Sequence, residues 1–159
     1  MSKWSIVCIL ALLGVVPTSA HAGFILGASL GYGEQLRPSV DPAGESFMLH
    51  VGYGLGEVIR LELGTVFKSH FVTDKPKGEK LDLQFRPMLV IDPPILPLYG
   101  RIVAAVANVL DDVNYAFGAF IGVGGSLAGL GVFGEVGVVP LLNPVAWVLE
   151  GRAGVFYAF

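Results

Sequence analysis

Charge and bulk alternate along this chain with a period of two. From Val58 to Phe71, the residues Ile59, Leu61, Leu63, Thr65, Phe67 and Phe71 share one parity, and Arg60, Glu62, Gly64, Lys68 and His70 share the other. A helix would scatter those charges around its circumference. An extended strand puts successive side chains on opposite faces, so one face becomes continuously apolar and the other takes every charge.

The same alternation recurs in eight segments, near Gly23–Gly33, Ser46–Leu55, Val58–Phe71, Leu81–Ile91, Leu98–Val109, Tyr115–Gly124, Ala128–Val138 and Ala146–Phe159. Strands that cross an outer membrane have about 9–11 residues, alternating apolar outward and small or polar inward. The segments fit that rule: Phe24, Leu26 and Leu30 alternate with Gly27, Ser29 and Gly31, and Leu83, Phe85 and Leu89 with Gln84, Arg86 and Met88. Pro87 falls on the outer parity and removes one ladder donor, which predicts a bulge or local break. The expected fold is all-β: an eight-stranded antiparallel up-and-down transmembrane β-barrel over residues 23–159.

Two rivals fail on composition. Val113–Gly134 has no charge and could pass for a spanning helix, but Tyr115–Gly134 holds seven glycines, each costing roughly 1 kcal/mol against Ala in a helix. Elsewhere charges recur every few residues, which a spanning helix does not tolerate. A soluble β-sandwich would bury its large apolar face, whereas here the mixed face is largely small or charged. Overall charge is sparse, at 14% charged against 53% apolar residues and a net −3. With no basic patch, nucleic acid is an unsuitable partner.

The first 22 residues read as a separate object. Lys3 precedes an apolar run from Trp4 to Val16, and Ala20-His21-Ala22 has the small-x-small form of a signal-peptidase site. Cleavage there would remove the one cysteine, Cys8, and take the net charge from −3 to −4 through loss of Lys3. No disulfide, Cys metal site or Cys nucleophile would remain, and no cofactor is expected.

The connections predict sidedness. Those at Gln35–Glu45, Val72–Lys80 and Val139–Val145 read as longer loops, and those at Gly56-Glu57, Asp92–Pro97 and Gly125–Leu127 as tighter turns. Centring the third hairpin on Pro76 sets His70 against Asp82, Lys68 against Gln84 and Arg60 near Asp92. The last hairpin sets Glu135 near Glu150 with Arg152 diagonal. Tyr32, Tyr53, Tyr115, Trp147 and Tyr157 fall near strand ends, where amphipathic rings favour a membrane interface.

Eight strands enclose a lumen just wide enough for side chains. The inward set holds Arg60, Lys68, Arg86, Arg101 and Arg152 against Glu62, Asp82, Glu135 and Glu150, a nearly balanced network that reads as a closed plug. A narrow transport pore is the alternative, and would need water between these groups. His50 reads as a packed inward histidine, and Asp111-Asp112 as a solvated loop pair. Gly52-x-Gly54-x-Gly56 lacks the strand-to-helix context of a nucleotide loop.

The chain closes on Arg152-Ala-Gly154-Val-Phe-Tyr157-Ala-Phe159, polar-x-Gly-x-x-aromatic-x-aromatic. This resembles the β-signal of bacterial outer-membrane barrels, with Gly154, Tyr157 and Phe159 as its elements. Over Gly23–Phe159 the pattern resembles the eight-stranded barrels typified by the outer-membrane protein A transmembrane domain. The resemblance implies a Gram-negative outer-membrane location with both ends on the periplasmic side. It also implies recognition by the barrel-assembly machinery, contact with outer-membrane lipids and lipopolysaccharide, and a monomer serving membrane integrity or surface interaction. Some barrels of this type are lipid A deacylases or acyltransferases with serine and histidine at the outer rim. Here a rim pair of His70 and Asp82 would suit a base and its orienter. The nucleophile is missing, however: Ser69 has the wrong parity, and Ser39 and Ser46 approach only by folding of the first loop. The balance leans away from an enzyme.

Overall fold

A computed structural model describes residues 23–37, 41–68, 82–94, 96–107, 109, 113–142 and 145–159. The proposed signal peptide lies outside the described residues, as do Ser39, Ser69, His70, Asp111 and Asp112. Eight strands follow in order: β1 (Phe24–Arg37), β2 (Asp41–Gly54), β3 (Ile59–Lys68), β4 (Asp82–Ile91), β5 (Leu98–Ala107), β6 (Asn114–Leu127), β7 (Leu130–Leu142) and β8 (Val145–Ala158). Each pairs antiparallel with the next and β8 closes on β1, so the fold is the closed up-and-down barrel that the alternation predicts.

The stagger sets the barrel's shape. Paired residues run from Phe24 through Tyr53, Leu61, Leu89, Ile102, Ala119, Val138 and Leu149, and return to β1 at Glu34, ten residues further along. Eight strands with that stagger tilt about 40° from the axis. At that tilt, a strand of 10 residues, as in β3, β4 and β5, rises about 25 Å. A strand of 14 residues, as in β1, β2, β6 and β8, rises about 35 Å. Among the described residues, one wall is therefore taller than the other.

That taller wall corrects the loop assignments. Gln35–Glu45 and Val139–Val145 are mostly strand. Glu34 pairs with Pro42 and Gln35 with Asp41 beyond a bulge that skips Ala43, where Gly44 takes φ 92°. The pairs Pro140–Trp147 and Leu142–Val145 carry the last hairpin past its proline. The prolines and the acidic residues gave these segments a loop-like composition, and cross-strand pairing overrides it. Gly125–Leu127 also belongs to β6, whose turn to β7 is Ala128-Gly129 with φ 51° and 86°. Two successive positive φ values fit the type I′ hairpin. The third expected long loop, Val72–Lys80, lies outside the described residues.

Prolines interrupt ladders without moving the register. Between β4 and β5 the pairs Phe85–Val106 and Met88–Val103 share one register, with a gap at Arg86 and Pro87. Between β6 and β7 a matching gap separates Ala116–Leu141 from Ala119–Val138, opposite Pro140. A missing N–H removes one rung, and the flanking rungs hold the alignment. Pro87 therefore causes a break and not a bulge.

The first and last described residues meet the short turns at one rim: Gly54 N–H donates to Gly23 O, Phe159 N–H to Phe24 O and Ala158 N–H to Gly129 O. The outer wall is apolar and exposed, with Leu30, Leu61, Phe117, Ile121 and Val132 all at least 49% accessible. Tyr53 and Tyr157 ring the turn end, and Tyr115 and Trp147 the opposite end.

A charged ladder inside the barrel

The inward parity of the strands delivers four arginines and four carboxylates to the interior, all buried. They form one ladder. At the turn end, Arg60 Nη1 donates to Asp92 Oδ2 at 2.5 Å and Arg60 Nε to Glu62 Oε1 at 3.2 Å. Glu62 Oε2 accepts from Arg101 Nη2 at 3.2 Å, and Arg101 Nη1 donates to Glu135 Oε1 at 2.6 Å. The second Glu135 oxygen takes the Tyr99 hydroxyl at 2.8 Å. Arg152 Nε lies 4.0 Å from Glu135 and its Nη2 donates to Glu150. Glu150 then grips Arg86 with both oxygens, at 2.9 and 3.0 Å, and Arg86 also donates to Gln84. Ser29 and Ser46 each accept from Arg152 at 3.2 Å.

Charge-assisted pairing of this kind is what permits burial. An unpaired ion in a low-dielectric interior is costly, and each removed partner strands its neighbour. The bidentate Arg86–Glu150 contact uses the planar fork of the guanidinium, which a lysine lacks. Arg101 additionally faces two rings, its guanidinium carbon 5.5 Å from the centroids of both Tyr99 and Phe133.

Seven of the nine residues expected in the lumen network fall in this ladder: Arg60, Glu62, Arg86, Arg101, Glu135, Glu150 and Arg152. Lys68 and Asp82 are backbone partners across β3 and β4, and their side chains are outside the described residues. Of the expected rim pair, His70 is also outside them, and Asp82 faces Lys68. The expected registers are each off by two. Lys68 faces Asp82 and not Gln84, whose partner is Val66. Glu135 faces Arg152 directly, and Glu150 faces Gly137. Arg60 does reach Asp92, diagonally. Ser46, considered above as a rim nucleophile, is a buried β2 residue bonded to Arg152.

Sequence reasoning left Tyr99 and Ser29 out of the network and gave Asp92 only as the hairpin neighbour of Arg60. Tyr99 has the parity of Arg101 two residues on, and that parity was the available signal. Asp92 was placed in a turn just past β4, where alternation had ended.

The interior is also more apolar than its sequence face suggests. Met48, Val66, Met88, Val103, Phe120 and Val139 form a buried cluster, and Val90, Tyr99 and Phe133 a second one backed by Phe156. Glycines make room for them. A Cβ at Gly122 would lie 2.3 Å from the Tyr99 ring, one at Gly131 2.2 Å from Phe156, and one at Gly27 2.0 Å from His50 Nε2. His50 packs on Phe133 at a centroid distance of 5.8 Å. The interior cavities lined by described residues are small. A cavity of about 10 Å³ lies among His50, Glu62, Tyr99 and Phe133, and one of about 40 Å³ beside Gln84, Arg86 and Glu150. The first is barely the volume one water needs.

Fold and interior together define a class: the small, closed, eight-stranded barrel of the outer-membrane type. The chain matches a crystal structure of Neisserial surface protein A over 87% of its own length and 98% of that chain, with TM-score 0.63 and 15% identity. It also matches a structure from the de novo design of transmembrane β-barrels over 87% and 96%, with TM-score 0.55 and 12% identity. No family model and no curated protein sequence matches the chain. The likeness is one of fold.

Proposed function

We propose that this chain is an outer-membrane protein that forms a closed, non-conducting barrel and serves membrane integrity or surface interaction. The observation that carries the reading is the filled interior of the described residues: the ladder and its apolar layers pack it, and the two cavities they line hold about 10 and 40 Å³. Conduction needs a continuous water path, and opening one here would strand several buried ions. In this reading residues 1–22 direct export and are removed, both chain ends face the periplasm, and β8 presents Gly154, Tyr157 and Phe159 to the assembly machinery. The exposed rings of Tyr157 and Phe159, edge-to-face at 4.9 Å, support that last assignment.

The test is reconstitution of the exported chain into planar bilayers. The expected result is β-rich circular dichroism, slower gel migration after boiling, and no channel steps across ±100 mV (about 2.3 kcal/mol per charge). Reproducible single-channel steps would overturn the closed-lumen reading. A helical spectrum would overturn the membrane barrel itself.

A further inference from the structure

The described part of the outer wall carries an indentation. Between β7, β8, β1 and β2 the exposed positions Gly151 and Ala153 are small, and Leu30, Phe47, Val136 and Leu149 rise around them. The resulting groove encloses about 770 Å³, within the roughly 300–1,000 Å³ typical of small-molecule sites. Its exposed floor is apolar; Ser46 and Arg152 also line it, but both are buried and bonded to each other inside the barrel.

The head of this groove carries charge. Glu34 and Glu45 line it and are exposed. Among the described side chains, they are the only charged groups on the outer wall of the strands. Glu45 is paired with Tyr32 and Glu34 is the next outward position on β1, so both carboxylates sit together. Neither forms an ion pair among the described residues. Glu34 lies ten residues up β1 from Phe24 at the turn rim, about 25 Å along the axis. That matches the height of the apolar band of such barrels. If the barrel spans a membrane, as proposed above, the groove floor lies at acyl-chain depth and the two carboxylates lie at headgroup depth.

We propose that this groove binds an amine-headed phospholipid, one acyl chain lying on Gly151 and Ala153 and the ammonium donating to Glu34 and Glu45. The inference rests on the membrane reading. Two carboxylates at an interface with no cation paired to them among the described residues take a counter-charge, and an ammonium supplies both charge and N–H donors. An anionic headgroup would be repelled.

The experiment uses the exported chain in nanodiscs of equal phosphatidylethanolamine, phosphatidylcholine and phosphatidylglycerol, with native mass spectrometry of the lipid retained after gentle release. The wild type is expected to retain phosphatidylethanolamine over phosphatidylglycerol by roughly five- to tenfold, with phosphatidylcholine, which has no N–H donor, between them. E34Q/E45Q should abolish the selectivity and keep some bound lipid. G151F should lose the lipid altogether. A Cβ at Gly151 meets nothing within 4 Å, so the ring fills the groove without disturbing the fold. Equal retention of all three lipids, unchanged selectivity in E34Q/E45Q, preference for phosphatidylglycerol with divalent cations, or a dimer lost in G151F would overturn the proposal. Circular dichroism and heat-shifted mobility on the same samples separate its failure from failure of the membrane reading.

Discussion

Glu150 is the most exacting test of the ladder. It serves two guanidiniums at once, Arg86 through both oxygens and Arg152 through one. Replacing it with glutamine keeps volume and one acceptor but leaves four arginines against three carboxylates in the described interior, one buried positive charge in excess. Removing one partner of a buried pair costs about 3–5 kcal/mol. The retained amide acceptor puts E150Q near the lower end, at about 3 kcal/mol. R86M removes the matching positive charge, so R86M/E150Q is neutral again, and Arg152 still has the carbonyl oxygen of the introduced amide as an acceptor. The double variant should therefore be more stable than E150Q alone, with a favourable coupling of about 2 kcal/mol, inside the range of contacting pairs. Urea titration of refolded protein in phospholipid vesicles, followed by gel mobility and tryptophan fluorescence, measures all four corners of the cycle. An E150Q variant within about 0.5 kcal/mol of wild type, or additive effects in the double variant, would refute the claim that charge balance holds this interior together.

Three further outcomes follow from local geometry. G131A drives a Cβ to 2.2 Å from Phe156 and should cost about 1–3 kcal/mol by overpacking; F156L in the same chain should recover most of it in the same titration. A128N suits the positive φ of 51° better than alanine and should raise stability by about 0.5–1 kcal/mol, read as a higher urea midpoint with unchanged slope. Removing Phe159 should leave refolding in detergent intact and reduce the folded, heat-shifted form recovered from cell envelopes, which separates an assembly signal from a stabilising contact.

Much of the fold was legible because a barrel repeats one rule. Period two fixes which residues face inward, and β3 states it openly with Arg60 and Glu62 between Ile59, Leu61 and Leu63. Strand ends were less legible. Pro42 and Pro140 signal turns by composition, yet both sit within paired strands, where the neighbouring rungs compensate for the missing N–H. The filling of the lumen was half legible. The charges were visible, and so was inward Met48, but Val66 and Phe120 stand among small residues and their burial depends on glycines from other strands. Gly137, for instance, clears the Phe120 ring.

Register shows what alternation leaves open and what closes it. Sliding a strand by one residue exchanges inside and outside, so the pattern forbids it. Sliding by two preserves parity, and the pattern is silent. Charge is not silent. A slip of two between β7 and β8 would set Glu135 against Glu150, two carboxylates face to face in a low-dielectric interior. The native register sets Glu135 against Arg152. The same holds between β3 and β4, where the native register opposes Lys68 to Asp82 and the slipped one opposes it to neutral Gln84. Like charges opposite one another destabilise a strand pair and unlike charges favour it. The ladder reaches across strands that are not neighbours, joining Arg86 on β4 to Glu150 on β8 and Arg101 on β5 to Glu135 on β7. A slip at one hairpin would therefore break contacts at others. The interior charges fill the lumen and also select one register from those that alternation allows.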